Sequence, residues 1–263
     1  MLSFDTFCAI MQKIDVRSSD MTRFFVSESE LNGTTILLRG ENAAHAKVLR
    51  LKLGENVLVC NGQGRECLCV VQDIVAGDYC LDVLEHRTSS TEPSVCVSVY
   101  VAFPKADKLE HIIQKATELG ACEIVAFPAS RCVSKPDEKS LKKKLERWQK
   151  IAASAAEQSG RGRIPDVVLL PSYVAALKRA VEADLAILFY ENEHATTLKM
   201  ALESGPFSSV SLLSGPEGGL EEREVALARE NGLRVCTLGS RILRCETAPL
   251  CGLSAVMYAS GEF

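Results

Sequence analysis

The sequence predicts an α/β protein in two parts: a small all-β domain, then a mainly parallel sheet with helices on both faces. Three observations carry this. Residues 23–87 read as successive strands joined by hairpin-type turns. From residue 95 strands alternate with amphipathic helices, the pattern of a parallel sheet whose crossovers are helical. Two glycine-rich loops then follow late strands, where open α/β sheets hold ligands.

Residues 1–20 carry no clear hydrophobic period, and Met21-Thr22-Arg23-Phe24-Phe25-Val26 reads as a second beginning, so 1–20 are expected to be an N-terminal extension. Lys13 and Arg17 stand there against Asp5, Asp15 and Asp20, without the basic end and apolar core of a secretion signal. The expectation is a cytoplasmic protein that does not enter a membrane. Residues 21–90 form the first domain, with strands at 23–26, 35–38, 56–60, 66–74 and 79–85 and one helix at 41–51. Asn61-Gly62-Gln63-Gly64 and Ala76-Gly77-Asp78 supply its turns. The polar run from Thr88 to Pro93 reads as a linker.

Residues 91–263 form the second domain. Strands are expected at 95–103, 123–127, 167–170, 184–190, 210–213 and 234–238. Helices are expected at 107–119, 138–159, 173–182, 195–203, 220–231 and 246–259. Leu109, Ile112, Ile113, Ala116 and Leu119 share one face of the first, which Gly120 ends.

The eleven cysteines are scattered with no CxxC pair, which argues against a zinc ribbon and a secreted disulfide framework. Cys67 and Cys69 share a strand face as small core residues, and no metal is expected. The net charge of −4 is unevenly spread. Residues 131–163 hold ten basic side chains against four acidic ones, a +6 segment on a −10 remainder. That is either a phosphate-tracking surface or, for Lys142 to Lys150, a solvated helix face.

The loop Pro104-Lys105-Ala106-Asp107 after the first strand of the second domain has no glycine, so this is not a dinucleotide-binding Rossmann domain, and no Walker lysine motif occurs. Gly215-Pro216-Glu217-Gly218-Gly219 carries a carboxylate and no cation, which suits a neutral or cationic ligand better than a polyphosphate.

That loop, taken with Leu238-Gly239-Ser240-Arg241-Ile242-Leu243-Arg244-Cys245-Glu246-Thr247-Ala248, closely resembles the signature of the RsmE family, uridine-N3 methyltransferases of small-subunit ribosomal RNA. Further family-like pieces occur in order: Arg23-Phe24-Phe25, His45 with Val48-Leu49-Arg50, Lys105-Ala106-Asp107-Lys108, the stretch from Lys115 to Gly120, and Glu157-Gln158-Ser159-Gly160-Arg161. The resemblance spans residues 21–263. Cys245 stands where threonine or alanine is the family habit.

The resemblance implies a PUA-like β-barrel, a SPOUT methyltransferase domain with a trefoil-knotted C-terminal segment, a homodimer, and S-adenosylmethionine as methyl donor for 16S ribosomal RNA. By it, Leu188, Leu213, Gly215, Pro216, Glu217, Gly218, Gly219, Leu238, Gly239, Ile242, Leu243, Thr247 and Ala248 enclose the cofactor. Arg23, His45, Arg50, Lys105, Lys108, Glu157, Gln158, Arg161 and Arg163 meet the RNA. His45 also reads simply as a half-buried helix residue beside Leu49.

Methylation at N3 spreads negative charge onto the uracil carbonyls as the imide proton is lost, which a fixed guanidinium stabilises well. Arg244 is the candidate. Glu246 either orients it, assists proton removal or caps the last helix. Two other readings stand beside this one: a SPOUT enzyme acting on another base or a ribose, and a non-catalytic RNA-binding or ribosome-assembly protein.

Overall fold

The computed structural model describes residues 21–133 and 138–263. The expected extension at 1–20 lies outside them. The chain divides into two compact units. One runs up to Thr91 and takes in Gly160–Arg163; the other comprises Glu92–Ser159 and Ile164–Phe263.

The first unit is a five-stranded mixed sheet, ordered β1-β3-β4-β5-β2, of β1 (Arg23–Phe25), β2 (Thr35–Leu38), β3 (Asn56–Cys60), β4 (Arg65–Val75) and β5 (Asp78–Thr88). β1 runs parallel to β3 and the remaining pairs are antiparallel. Register shifts at Leu68/Cys69 and Val71/Asp73 interrupt the long β4–β5 ladder, and such bulges bend and twist a strand pair. Alternate residues fill the core, among them Phe24, Ile36, Leu38, Val57, Val59, Cys67, Cys69 and Leu81. Burial pushes the thiols of Cys60 and Cys69 up to about 12, so both stay protonated as core residues.

Two differences from the sequence expectation have local causes. A single helical turn, α1 (Glu28–Leu31), was not anticipated. Glu30 accepts from the Ser27 backbone N–H at 2.9 Å, a capping box legible as Ser27-x-x-Glu30. Helix α2 (Gly40–Val48) stops short of residue 51 because Arg50 adopts a left-handed φ of 59°.

Gly160–Arg163, placed by sequence in the second domain, packs as part of the first unit. Gly62 bridges Arg163, Gly64 donates to the Gly162 carbonyl at 3.1 Å, and Gly162 abuts Ser89 so closely that any Cβ there would overlap it.

The second unit is a six-stranded, wholly parallel sheet, ordered β11-β9-β10-β6-β7-β8. Its strands are β6 (Cys96–Ala102), β7 (Glu123–Phe127), β8 (Asp166–Leu169), β9 (Leu185–Phe189), β10 (Ser209–Ser214) and β11 (Arg234–Cys236). Its helices are α3 (Lys108–Glu118), α4 (Glu138–Gln158), α5 (Tyr173–Ala180), α6 (Leu198–Leu202), α7 (Glu222–Glu230) and α8 (Thr247–Ala259). Every residue of β9 is buried, the continuous apolar run of a strand covered on both faces. Gly252 lets α8 lie against Phe189 at the end of β9, since a Cβ there would collide with that ring.

Cys96, at the start of β6, and Cys122, just before β7, form a disulfide. Among the described residues, no group of three or more His, Cys, Asp or Glu side chains is placed to hold a metal ion, and no helix is long and apolar enough to cross a membrane.

Candidate active site

A cavity of about 490 Å3 opens beyond the carboxyl ends of β9 and β10, where Phe189 and Ser214 line it. Two loops enclose it. The first follows β10, and its turn is closed by the Gly219 N–H on the Pro216 carbonyl at 2.9 Å. Gly219 has a φ of +67°, which favours glycine, and a Cβ there would displace the Glu191 carboxylate. The second follows β11. The Thr237 hydroxyl accepts from the Gly239 N–H at 3.2 Å, and Gly239, at φ +104°, has open space where a Cβ would point.

Of the residues expected to enclose a cofactor, Gly215, Pro216, Glu217, Gly219, Leu238, Gly239, Ile242, Leu243 and Ala248 line this cavity. Leu188, Leu213, Gly218 and Thr247 do not. Leu188 and Leu213 are fully buried in the sheet, each one position before a lining residue. Gly218 instead faces Arg131, which donates to its carbonyl at 3.0 Å. Thr247 opens α8, its N–H bonded to the Arg244 carbonyl at 2.9 Å. Tyr190, Glu191, His194, Leu220, Thr237 and Arg241 also line the cavity and were missed. Arg241 lies within the quoted signature stretch, whereas the others flank the glycine loops and are brought in by the fold.

Lys108 also lines the cavity, although sequence placed it with the RNA contacts. Its ammonium lies 3.1 Å from Glu217 and 3.0 Å from Glu246, tying the first loop to the start of α8. The two carboxylates hold it charged, well above the usual lysine range. Burial works to raise the Glu246 carboxyl, but its own backbone N–H, Lys108 and the Cys245 thiol outweigh this and hold it at about 2. A carboxylate so held is a poor proton acceptor. Nor does its side chain cap α8, for no cap hydrogen bond forms. Nor does it orient Arg244, the remaining role raised for it, because its carboxylate is bonded to Lys108 instead. Burial and the bond to Glu246 push the Cys245 thiol up to about 12.

Arg244 lines the cavity and is exposed, and among the described residues its guanidinium has no hydrogen bond or ion pair.

The expected RNA residues fall in both units. Arg23, His45, Arg50, Arg161 and Arg163 belong to the first, and Lys105, Lys108, Glu157 and Gln158 to the second. Two of them need correction. Arg23 is 2% exposed, its Nη1 bonded to Glu66 at 2.6 Å, and Glu66 is in turn bonded by Arg87 at 2.8 Å. Arg161 is 3% exposed within the docked Gly160–Arg163 segment. Neither presents its charge to solvent. His45 is half-buried, its ring edge-on to Phe24 at 5.6 Å, whereas Arg50, Lys105, Gln158 and Arg163 are exposed.

Residues 91–257 match the family model described as RNA methyltransferase domain, and residues 38–81 match the RNA methyltransferase PUA domain. Fold and site together are those of a SPOUT-type RNA methyltransferase. Among similar proteins, Ribosomal RNA small subunit methyltransferase E of Bacillus subtilis is 38% identical, over 90% of this chain and 96% of its own. That of Mycobacterium tuberculosis is 34% identical over 89% and 90%. A solved structure of the Neisseria gonorrhoeae enzyme of that name, bound to S-adenosyl methionine, superposes with a TM-score of 0.81 at 30% identity, covering 90% of this chain and 97% of that one. The chain belongs to the ribosomal RNA small subunit methyltransferase E family.

Proposed function

We propose that this protein transfers a methyl group from S-adenosylmethionine to N3 of a uridine in small-subunit (16S) ribosomal RNA, working as a homodimer. The observation that carries the reading is the cavity at the carboxyl ends of β9 and β10, walled by two glycine loops and carrying carboxylates but no phosphate-binding lysine motif. The residues present fit that cofactor. Leu238, Ile242 and Leu243 supply apolar contact for a purine. The glycine backbones admit it closely, and Glu191 sets a carboxylate in the wall, while Glu217 is already paired with Lys108. When bound, the cofactor supplies an electrophilic methyl group.

The remaining chemistry falls to the chain itself. Arg244, exposed at the cavity and unbonded among the described residues, offers a planar fork to the uracil carbonyls as the imide proton is lost. Lys108 holds Glu217 and Glu246 together, which keeps the two halves of the cavity in register. The relatives' shared name and the cofactor in the Neisseria structure support both substrate and donor. Tyr258 on α8 is 75% exposed, which suits a dimer contact.

Incubation of purified protein with unmodified small-subunit RNA and S-adenosylmethionine, followed by nucleoside mass spectrometry, tests this directly. The expected product is 3-methyluridine. A methylated ribose or a different base would replace the proposed target, and no methylation at all would remove the activity.

A further inference from the structure

Beside the first cavity lies a second, of about 540 Å3, and Lys108 lines both. The second space takes its surface from α3, from Ile151 of α4 and from Glu246 at the start of α8. Lys108 and Glu246, 3.0 Å apart, therefore stand where the two spaces meet.

We propose that this second cavity is the acceptor site, receiving an uncharged uracil turned out of its RNA strand with one ring carbonyl against the Lys108 ammonium. The inference rests on the methyltransferase reading above and adds where the base sits and a second cation, besides Arg244, that meets it.

Position comes first. A base in the second cavity is next to the cofactor cavity, with the Lys108 side chain lining both spaces. Charge comes second. Carboxylates of Asp107, Glu110 and Glu246 line the space, with Lys108 as the lysine among them. Such a surface repels phosphate, so a nucleotide entering it presents its base and leaves its backbone outside. Glu110 is already engaged by Arg147 at 2.7 Å, and Glu246 by Lys108, so both acids are fixed in place.

Functional groups agree. Uracil offers two carbonyl acceptors and one imide N–H. The Gln114 amide and the His111 ring supply donors beside Lys108, and Ile151 supplies apolar surface for a ring face. Lys108 also has a bond to exchange. Two of its N–H groups hold Glu217 and Glu246, while the third meets the Cys245 sulfur at 3.7 Å, a weak acceptor. A carbonyl oxygen that gains negative charge as N3 loses its proton is a far better partner, and that bond strengthens as the reaction advances.

The test uses the full-length protein with substitutions that touch the second cavity and not the first. His111→Trp fills it from an exposed position, and Gln114→Ala removes a donor. Calorimetry with S-adenosylmethionine is compared with single-turnover methylation of small-subunit RNA at saturating cofactor, with thermal melts as a folding control. The expected result is cofactor affinity within about twofold of wild type, an unchanged melt, and methylation slowed by about 10²-fold or more in His111→Trp and about 10-fold in Gln114→Ala. Normal methylation in both variants overturns the acceptor site while leaving the methyltransferase reading intact. Absence of 3-methyluridine with the wild-type protein overturns both.

Discussion

The Lys108 ammonium lies 3.0 Å from the carboxylate of Glu246, joining the first turn of α3 to the entrance of α8. Against the opposing effect of burial, this contact joins the carboxylate's own backbone N–H and the Cys245 thiol in keeping it ionised. The Glu246 carboxyl is held at about 2, below the ordinary value of about 4.3 for a free glutamate. A depressed folded pKa means these contacts together contribute fully above about pH 4.3 and are lost as pH falls toward 2. Carbon-detected NMR of labelled glutamate side chains is expected to show Glu246 titrating near 2 in the wild type and moving up toward the free value in Lys108→Met. A titration unchanged by that substitution would remove Lys108 from the groups that lower it.

Gly219 separates two effects that a glycine substitution usually confounds. Its φ of +67° strains any other residue by about 1–2 kcal/mol, and its missing Cβ leaves room for the Glu191 carboxylate at the cavity wall. Gly232 has a φ of +94° with open space around it and lies away from the cavity. Gly219→Ala and Gly232→Ala are expected to lose similar stability in urea titrations, while only the former weakens S-adenosylmethionine binding, by about 10-fold or more. Equal cofactor affinity in the two variants would detach the first loop from the ligand.

Arg23 and Arg50 should behave oppositely. Arg23 and Glu66 are both buried, and removing one partner of such a pair typically costs about 3–5 kcal/mol. Arg87 still meets Glu66 at 2.8 Å, which places Arg23→Leu near the lower end, about 3 kcal/mol. Arg50→Ala, at an exposed position, is expected to change stability by less than about 0.5 kcal/mol and to lower RNA affinity, reducing the salt dependence by about one counterion. Denaturation curves and filter binding across a salt series measure both.

The contrast also marks what local sequence can carry. Strands and helices of the second unit were readable because each has its own period and its own stop, such as Gly120 after α3, at φ +95°. The glycine loops were readable because backbone conformation selects the residue. Lys108 was visible as a cation in a familiar short motif, yet its role depends on groups such as Cys245, 137 positions away. Arg23 was likewise visible as a charge, but nothing near it announces Glu66, 43 positions on, or the burial that turns both inward. Charge can be read from a chain; the partner that neutralises it requires the fold.

Arg244 tests whether the cavity is catalytic or merely receptive. Its backbone carbonyl accepts from Thr247 and Ala248 and so anchors α8, while its guanidinium is exposed beside the cavity with no bond among the described residues. A substitution that spares the backbone therefore removes only the free cation. If the guanidinium opposes charge that forms as N3 is deprotonated, Arg244→Ala is expected to slow single-turnover methylation by about 10² to 10³, with cofactor and RNA affinity little changed. If it holds a phosphate, RNA affinity falls instead and its salt dependence flattens by about one counterion. Arg244→Lys distinguishes the two further, because a lysine restores a phosphate contact but not a planar two-pronged contact with uracil. A normal rate in Arg244→Ala would take the catalytic role from this residue and leave Lys108, already placed between the two cavities, as the cation that meets the developing charge.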